Sequence, residues 1–321
     1  DADYGGGVYV KNGTFNMYGG TIKNNNSNGG SGAGVYVNGG TFNMHNNASV
    51  TGNTIGYGST AGFGGGVYVN GGTFEMHNNA SVTGNTANNI NGSSGGGVYV
   101  NGGTFKMHNN ASVTGNTAKG DKTGDNGHGG GVYVDSGTFN MNGSASVTKN
   151  NAAAQSYGGG VFVKNGGTFN MNGGAISENR ANQGGGVYAW GGTFNMNGNA
   201  SITSNTVNGV YVHNNATFTV SGSPTVTGNK NASDAASNVF LAGSKTITIG
   251  GELTGSLNSI GVTRGAYFFI ANNVNKDYSG IFFSDNTQYK VEYDKTDETN
   301  HKLVLAKKSG GTTNPPVTTE H

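Results

Sequence analysis

The chain has 321 residues, with 62 Gly, 3 Pro, no Cys and 10% charged side chains, for a formal net charge of +1. Disorder goes with low hydrophobicity, high net charge and no apolar period, and nucleic-acid binding needs a basic stripe; a strict apolar schedule and scattered Lys and Arg exclude both. No apolar run approaches the roughly 18 residues of a membrane-spanning helix, and a chain without cysteine leaves the redox compartment open.

The first apolar element is Val8-Tyr9-Val10. It returns as Val35-Tyr36-Val37, Val67-Tyr68-Val69, Val98-Tyr99-Val100, Val132-Tyr133-Val134, Val161-Phe162-Val163, Val187-Tyr188-Ala189, Val210-Tyr211-Val212 and Val239-Phe240-Leu241. The starts lie between 23 residues (Val187 to Val210) and 34 residues (Val98 to Val132) apart. A constant core with variable insertions is the mark of a solenoid whose loops sit on one side. A second element follows each triplet, a Thr-Phe-x-Met segment with Phe15, Phe42, Phe74 and Phe105 in the early repeats. The third is centred on Ile22, Val50, Val82, Val113, Val147, Ile176, Ile202 and Val226. All alternate with period two between Gly- and Asn-rich turns, so each is a short strand.

The shortest repeat holds three strands and three tight turns, which is one coil of a right-handed parallel β-helix. No stretch shows the 3.6-residue period of a helical repeat, and a propeller blade needs four strands in roughly 40 residues. About nine coils at roughly 4.8 Å each predict a rod on the order of 43 Å long. Period two turns the Val of each triplet inward and the aromatic ring outward, and it turns Phe and Met of the second strand inward. All Met residues, from Met17 to Met196, fall at one repeat position and form an interior column. An Asn recurs after the third strand at Asn25, Asn53, Asn85, Asn116, Asn150, Asn179, Asn205 and Asn229. It reads as an amide ladder at a corner that also accepts left-handed backbone angles. The glycines before each Val-Tyr-Val serve the next bend, where a Cβ would clash.

The regular repeats are expected over residues 1–256. Irregular strands over 257–308, where charge rises, are expected to form a C-terminal β cap over the exposed terminal edge. Residues 309–321 read as a flexible Thr/Pro linker. The repeat begins almost at residue 1, so the chain is expected to belong to a longer multidomain protein.

Val50-Thr51-Gly52-Asn53 followed by Gly64-Gly65-Gly66-Val67, repeated down the chain, resembles the paired FxxN and GGA(I/V/L) motifs of polymorphic-membrane-protein adhesins. It is also similar to right-handed β-helix repeats in large surface proteins of gut bacteria. Ile or Val replaces the motif Phe, Gly usually replaces the motif Ala, and the sequence carries no autotransporter barrel. The resemblance implies a bacterial protein, on the cell surface or secreted, whose work is adhesion rather than catalysis and whose partner is a glycan or host-surface component.

Four sets of residues are candidates for function. Tyr36, Tyr68, Tyr99, Tyr133, Phe162, Tyr188 and Tyr211, with Trp190 beside them, are expected to line an exposed aromatic face suited to stacking on sugar rings. An aromatic ladder also stabilises neighbouring strands, and inserted loops are able to cover it. Asp121 and Asp125 share the longest insertion, residues 119–128, and are the candidate calcium ligands; solvation of that loop is the plainer reading. His45, His77 and His108 recur at one position in consecutive coils and are candidate zinc ligands. A linear row is poor tetrahedral geometry, however, and Tyr18, Asn142, Asn172 and Asn197 fill the same position elsewhere. Ser and Thr flanking the third strand, such as Ser81 and Thr83, form a hydroxyl grid similar in form to that of ice-binding solenoids.

Polysaccharide lyases and glycoside hydrolases of the β-helix type need clustered carboxylates. Here Glu75, Asp135, Glu178 and Asp234 do not recur at one position in adjacent coils, so an enzyme is the alternative reading and a structural stalk a further one. No cofactor other than such a calcium ion is expected.

Overall fold

A computed structural model describes residues 5–56, 61–89, 92–120, 127–164, 166–264, 269–297 and 299–308. Within them the chain winds into stacked coils, each built from three short strands. Val35–Asn38, Thr41–Met44 and Ser49–Thr51 make one coil, and Val67–Asn70, Thr73–Met76 and Ser81–Thr83 make the next. Like residues pair in parallel register: Val67 with Val35 and Val98, Phe74 with Phe42 and Phe105, Val82 with Val50 and Val113. The molecule is thus a parallel β-helix, as the repeat predicts. The described residues contain no helix long and apolar enough to cross a membrane.

Longer repeats add pieces that three-strand counting does not foresee. Asn26–Ser27, Thr54–Ile55, Thr86–Ala87, Thr117–Ala118 and Asn151–Ala152 stack into a separate five-stranded sheet after the third-strand corner. Gly62–Phe63 and Ser93–Ser94 form a two-stranded sheet within the insertions.

The core follows from the alternation. Val69, Phe74, Met76 and Val82 are fully buried, and the same positions are buried in coil after coil. Phe74, Phe105, Phe139, Phe169, Phe194 and Phe218 form one continuous stack with ring centroids 4.6–5.0 Å apart. Each such ring contributes about 2–3 kcal/mol by leaving water, and the repeat of the strand spacing sets each ring over the next in a similar stacked geometry. In the first described coil Phe15 is 41% exposed.

The asparagine corner is a ladder with a direction. Asn85 donates from its backbone N–H and from Nδ2 to Oδ1 of Asn116, at 2.9 and 3.0 Å, and also donates from Nδ2 to the Val50 carbonyl at 3.0 Å. Asn116, Asn150, Asn179 and Asn205 repeat the pattern, and Asn229 hands it on to Asn238. The left-handed residue at this corner is not the ladder Asn, as the sequence suggests, but the one before it: Gly84, Gly115, Lys149, Glu178 and Ser204 all have φ of 57–64°. The amide is present for its buried hydrogen bonds, and the bend belongs to its neighbour. The glycine bend is as expected. A Cβ on Gly66 would lie 2.7 Å from the Gly97 carbonyl oxygen and 2.9 Å from Asn85 Nδ2, so glycine lets backbone and ladder approach each other.

Parallel stacking runs on past residue 256, since Ile260–Arg264 pairs with Val239–Leu241 and then with Phe282–Ser284. The direction reverses where Lys302–Lys307 pairs antiparallel with Phe269–Ala271 on one side and Tyr289–Asp294 on the other. Val274, Tyr278, Phe282 and Leu303 are buried beneath this end structure, which closes the coil as an irregular β cap. The proposed linker, residues 309–321, lies outside the described residues.

Candidate functional site

The aromatic column points outward from the coil but is largely covered. Tyr36, Tyr99, Tyr133, Phe162 and Tyr188 keep 0–7% exposure, while Tyr68 and Tyr211 are half-buried. The expectation of an exposed strip is corrected for the first five. For Tyr99, Tyr133, Phe162 and Tyr188 the physical reason lies in the inserted segments, which bring a second row of rings over the first. Phe63 packs on Tyr99 at 4.8 Å, His128 on Phe162 at 4.9 Å and Tyr157 on Tyr188 at 4.8 Å. Those rings close a satellite apolar cluster outside the coil. Burial, with Tyr133 and Asp135 nearby, pushes the Tyr99 phenol far up, and burial likewise raises Tyr133 and Tyr188. These phenols stay neutral at ordinary pH and supply no general base.

Trp190, the one tryptophan of the chain, is different. It ends the strand Val187–Trp190, two residues beyond Tyr188, and is 39% exposed. Register places it between Lys164 and His213 of the neighbouring coils, and its ring meets Phe162 edge-on at 6.1 Å. Lys164 Nζ lies 2.8 Å from Asp135 Oδ1 one coil further back. In earlier coils the same column carries amides, with Asn101 Nδ2 donating to Asn70 Oδ1 and Asn70 Nδ2 to Asn38 Oδ1. An indole, a lysine, a carboxylate and an imidazole thus replace a plain amide ladder at one edge of the rod.

On another face Tyr18, His45, His77 and His108 form a continuous pile, with successive centroids 4.8–5.0 Å apart. The structure adds Glu75, whose Oε2 stands 3.3 Å from His77 Nε2 and whose Oε1 accepts from Lys106 Nζ at 2.8 Å. Sequence reading weighed the imidazoles as a row and missed this carboxylate. The signal was available, because Glu75 precedes His77 by two residues at the end of a period-two strand, Thr73–Met76. Burial acts to raise the Glu75 carboxyl, but Lys106 and the imidazoles hold it below its ordinary value. His108 is held below the ordinary imidazole value by burial and by His77.

Elsewhere each described coil carboxylate faces a lysine: Asp135 with Lys164, Glu178 with Lys149 at 3.8 Å, Asp234 with Lys230 at 2.7 Å. Asp121 and Asp125, the candidate calcium ligands, lie outside the described residues. The hydroxyl grid is present and half-buried, with Ser81 Oγ 3.2 Å from Ser49 Oγ, and Ala175 interrupts it beside Ser146.

By its coils, in-register pairing and amide ladder, this is a parallel β-solenoid. No family model matches the chain, and no match is found among curated proteins or among solved structures.

Proposed function

We propose that this chain is a non-catalytic, adhesin-like solenoid of a bacterial surface or secreted protein, and that it holds glycans at the Trp190 edge. The observation that carries the reading is the exposed indole flanked by Lys164 and His213, with Asp135 within the same column. A sugar ring presents C–H bonds on one face and hydroxyls at its rim. The first stack on an aromatic plane; the second hydrogen-bond to carboxylate and ammonium groups such as Asp135 and Lys164. Two further features agree. Among the described residues these coil carboxylates are each matched to a lysine rather than to a second carboxylate, which does not suit the acid/base pair of a glycosidase. The adhesin resemblance of the Val-Thr-Gly-Asn and Gly-Gly-Gly-Val motifs points the same way.

The test is a glycan and polysaccharide panel read at once for bound protein and for new reducing or unsaturated ends. Binding without cleavage is expected, with Trp190→Ala lowering affinity by about tenfold or more. Cleavage would replace this reading with a β-helix lyase or hydrolase. Absence of any ligand would favour the stalk, a reading supported by the ladder that runs without a break from Asn25 to Asn238.

A further inference from the structure

The solenoid places a carboxylate and two imidazoles at one spot by a simple rule. Glu75 lies in the second strand, Thr73–Met76, and His77 is the residue just past its end, with the two side chains 3.3 Å apart. In-register stacking then sets Lys106 beside Glu75 and His108 over His77, with the two imidazole planes only 3° from parallel. One ligand atom from each of Glu75, His77 and His108 lies within 4.8 Å of the other two. Zinc–nitrogen and zinc–oxygen bonds are about 2.0–2.1 Å, which puts two ligands of one tetrahedral ion about 3.3 Å apart. The Glu75–His77 pair already has that separation, at 3.3 Å. A single ion at all three groups requires the half-buried His108 ring to turn about its side-chain torsions.

We propose that Glu75, His77 and His108 form a binding site for a single divalent cation of the zinc type, with solvent in the remaining position. Lys106 holds one carboxylate oxygen and leaves the other, Oε2, facing His77. A row of three imidazoles is not the site. His45 has Asn43, not a carboxylate, at the position of Glu75, and that coil lacks the third ligand.

The experiment titrates metal-free protein with Zn²⁺ alone, following heat of binding and melting temperature, with Mg²⁺ as the control. The rod itself supplies tolerated replacements, because Asn142, Asn172 and Asn197 occupy the histidine position, and Asn43 and Asn140 the Glu75 position, in other coils. Zn²⁺ is expected to bind at this site with a rise in melting temperature, and Mg²⁺ is not. His77→Asn, His108→Asn and Glu75→Asn should each weaken Zn²⁺ binding by about tenfold or more, while His45→Asn stays within about twofold. Melting curves without metal verify that each variant folds. No saturable Zn²⁺ binding overturns the proposal, as does binding that survives His108→Asn or that His45→Asn weakens equally.

Discussion

At the residue scale the asparagine corner gives the sharpest expectations. Replacing Asn116 with Ala leaves the backbone N–H and Nδ2 of Asn85 without their shared acceptor in a fully buried setting. Each buried donor so orphaned costs on the order of 1–3 kcal/mol, so chemical denaturation of Asn116→Ala should show a loss of about 3 kcal/mol. The neighbouring position gives the opposite sign. Ser204 sits at φ 58° without the freedom of glycine, where Gly84 and Gly115 sit in other coils. A left-handed non-glycine residue costs roughly 1–2 kcal/mol, part of which glycine returns through the entropy of the unfolded chain. Ser204→Gly should therefore raise stability by up to about 1 kcal/mol, and a lower melting temperature would refute that account. The ladder was legible in the sequence because a buried amide repeats at a fixed offset. The bend was placed one residue late, because Asn, Gly, Lys, Glu and Ser share no side-chain chemistry that announces a left-handed angle.

At the scale of elements, strands and insertions differ in how openly the sequence declares them. Alternating Val, Phe and Met locate every core strand, because burial on one face repeats in the pattern itself. The insertions carry no such period. That Phe63, His128 and Tyr157 fold back over the aromatic column is a matter of loop closure, which spacing does not encode. The outcome changes what a mutation there does. Tyr133→Ser, a surface change if the column were bare, removes a ring from between Tyr99 and Phe162 and should cost about 3 kcal/mol, read by urea unfolding. At the candidate sites the same contrast holds: Trp190 and the histidine row could be read directly, whereas the pairing of Glu75 with Lys106 required the register.

The cap behaves differently from the coils under acid. Hydrogen bonds from Ser279 hold Asp277, and those from Thr296 and Thr299 hold Asp294 and Asp297, below the ordinary carboxylate value of 3.8. A carboxyl lowered on folding contributes stability that is present above its unfolded value and lost as pH falls through its folded one. The cap should therefore loosen below about pH 4, before the coils, where Glu75 is the described carboxyl held low and the Val, Phe and Asn of the core do not titrate. Hydrogen exchange compared at neutral and acid pH locates the change; uniform loosening would contradict it.

For the whole molecule, order is transmitted from coil to coil, as in any solenoid whose units touch only their neighbours. The place where transmission ends is therefore informative. Asn238 gives its backbone N–H and Nδ2 to the two oxygens of Asp285, at 2.7 and 2.5 Å, and Thr263 donates to the same carboxylate. A carboxylate accepts on both oxygens and donates on neither, so it receives the last pair of hydrogens from a row that otherwise hands each pair to another amide. Since each ladder amide gives its backbone hydrogen and one Nδ2 hydrogen to the oxygen of the next amide, and takes the same pair on its own oxygen from the one before, the column has a sense, as a line of aligned compass needles does. A coil added in reverse would set oxygen against oxygen or hydrogen against hydrogen. Whatever lengthens this rod must keep its heading, and Asp285 is the stop written at the end of the line.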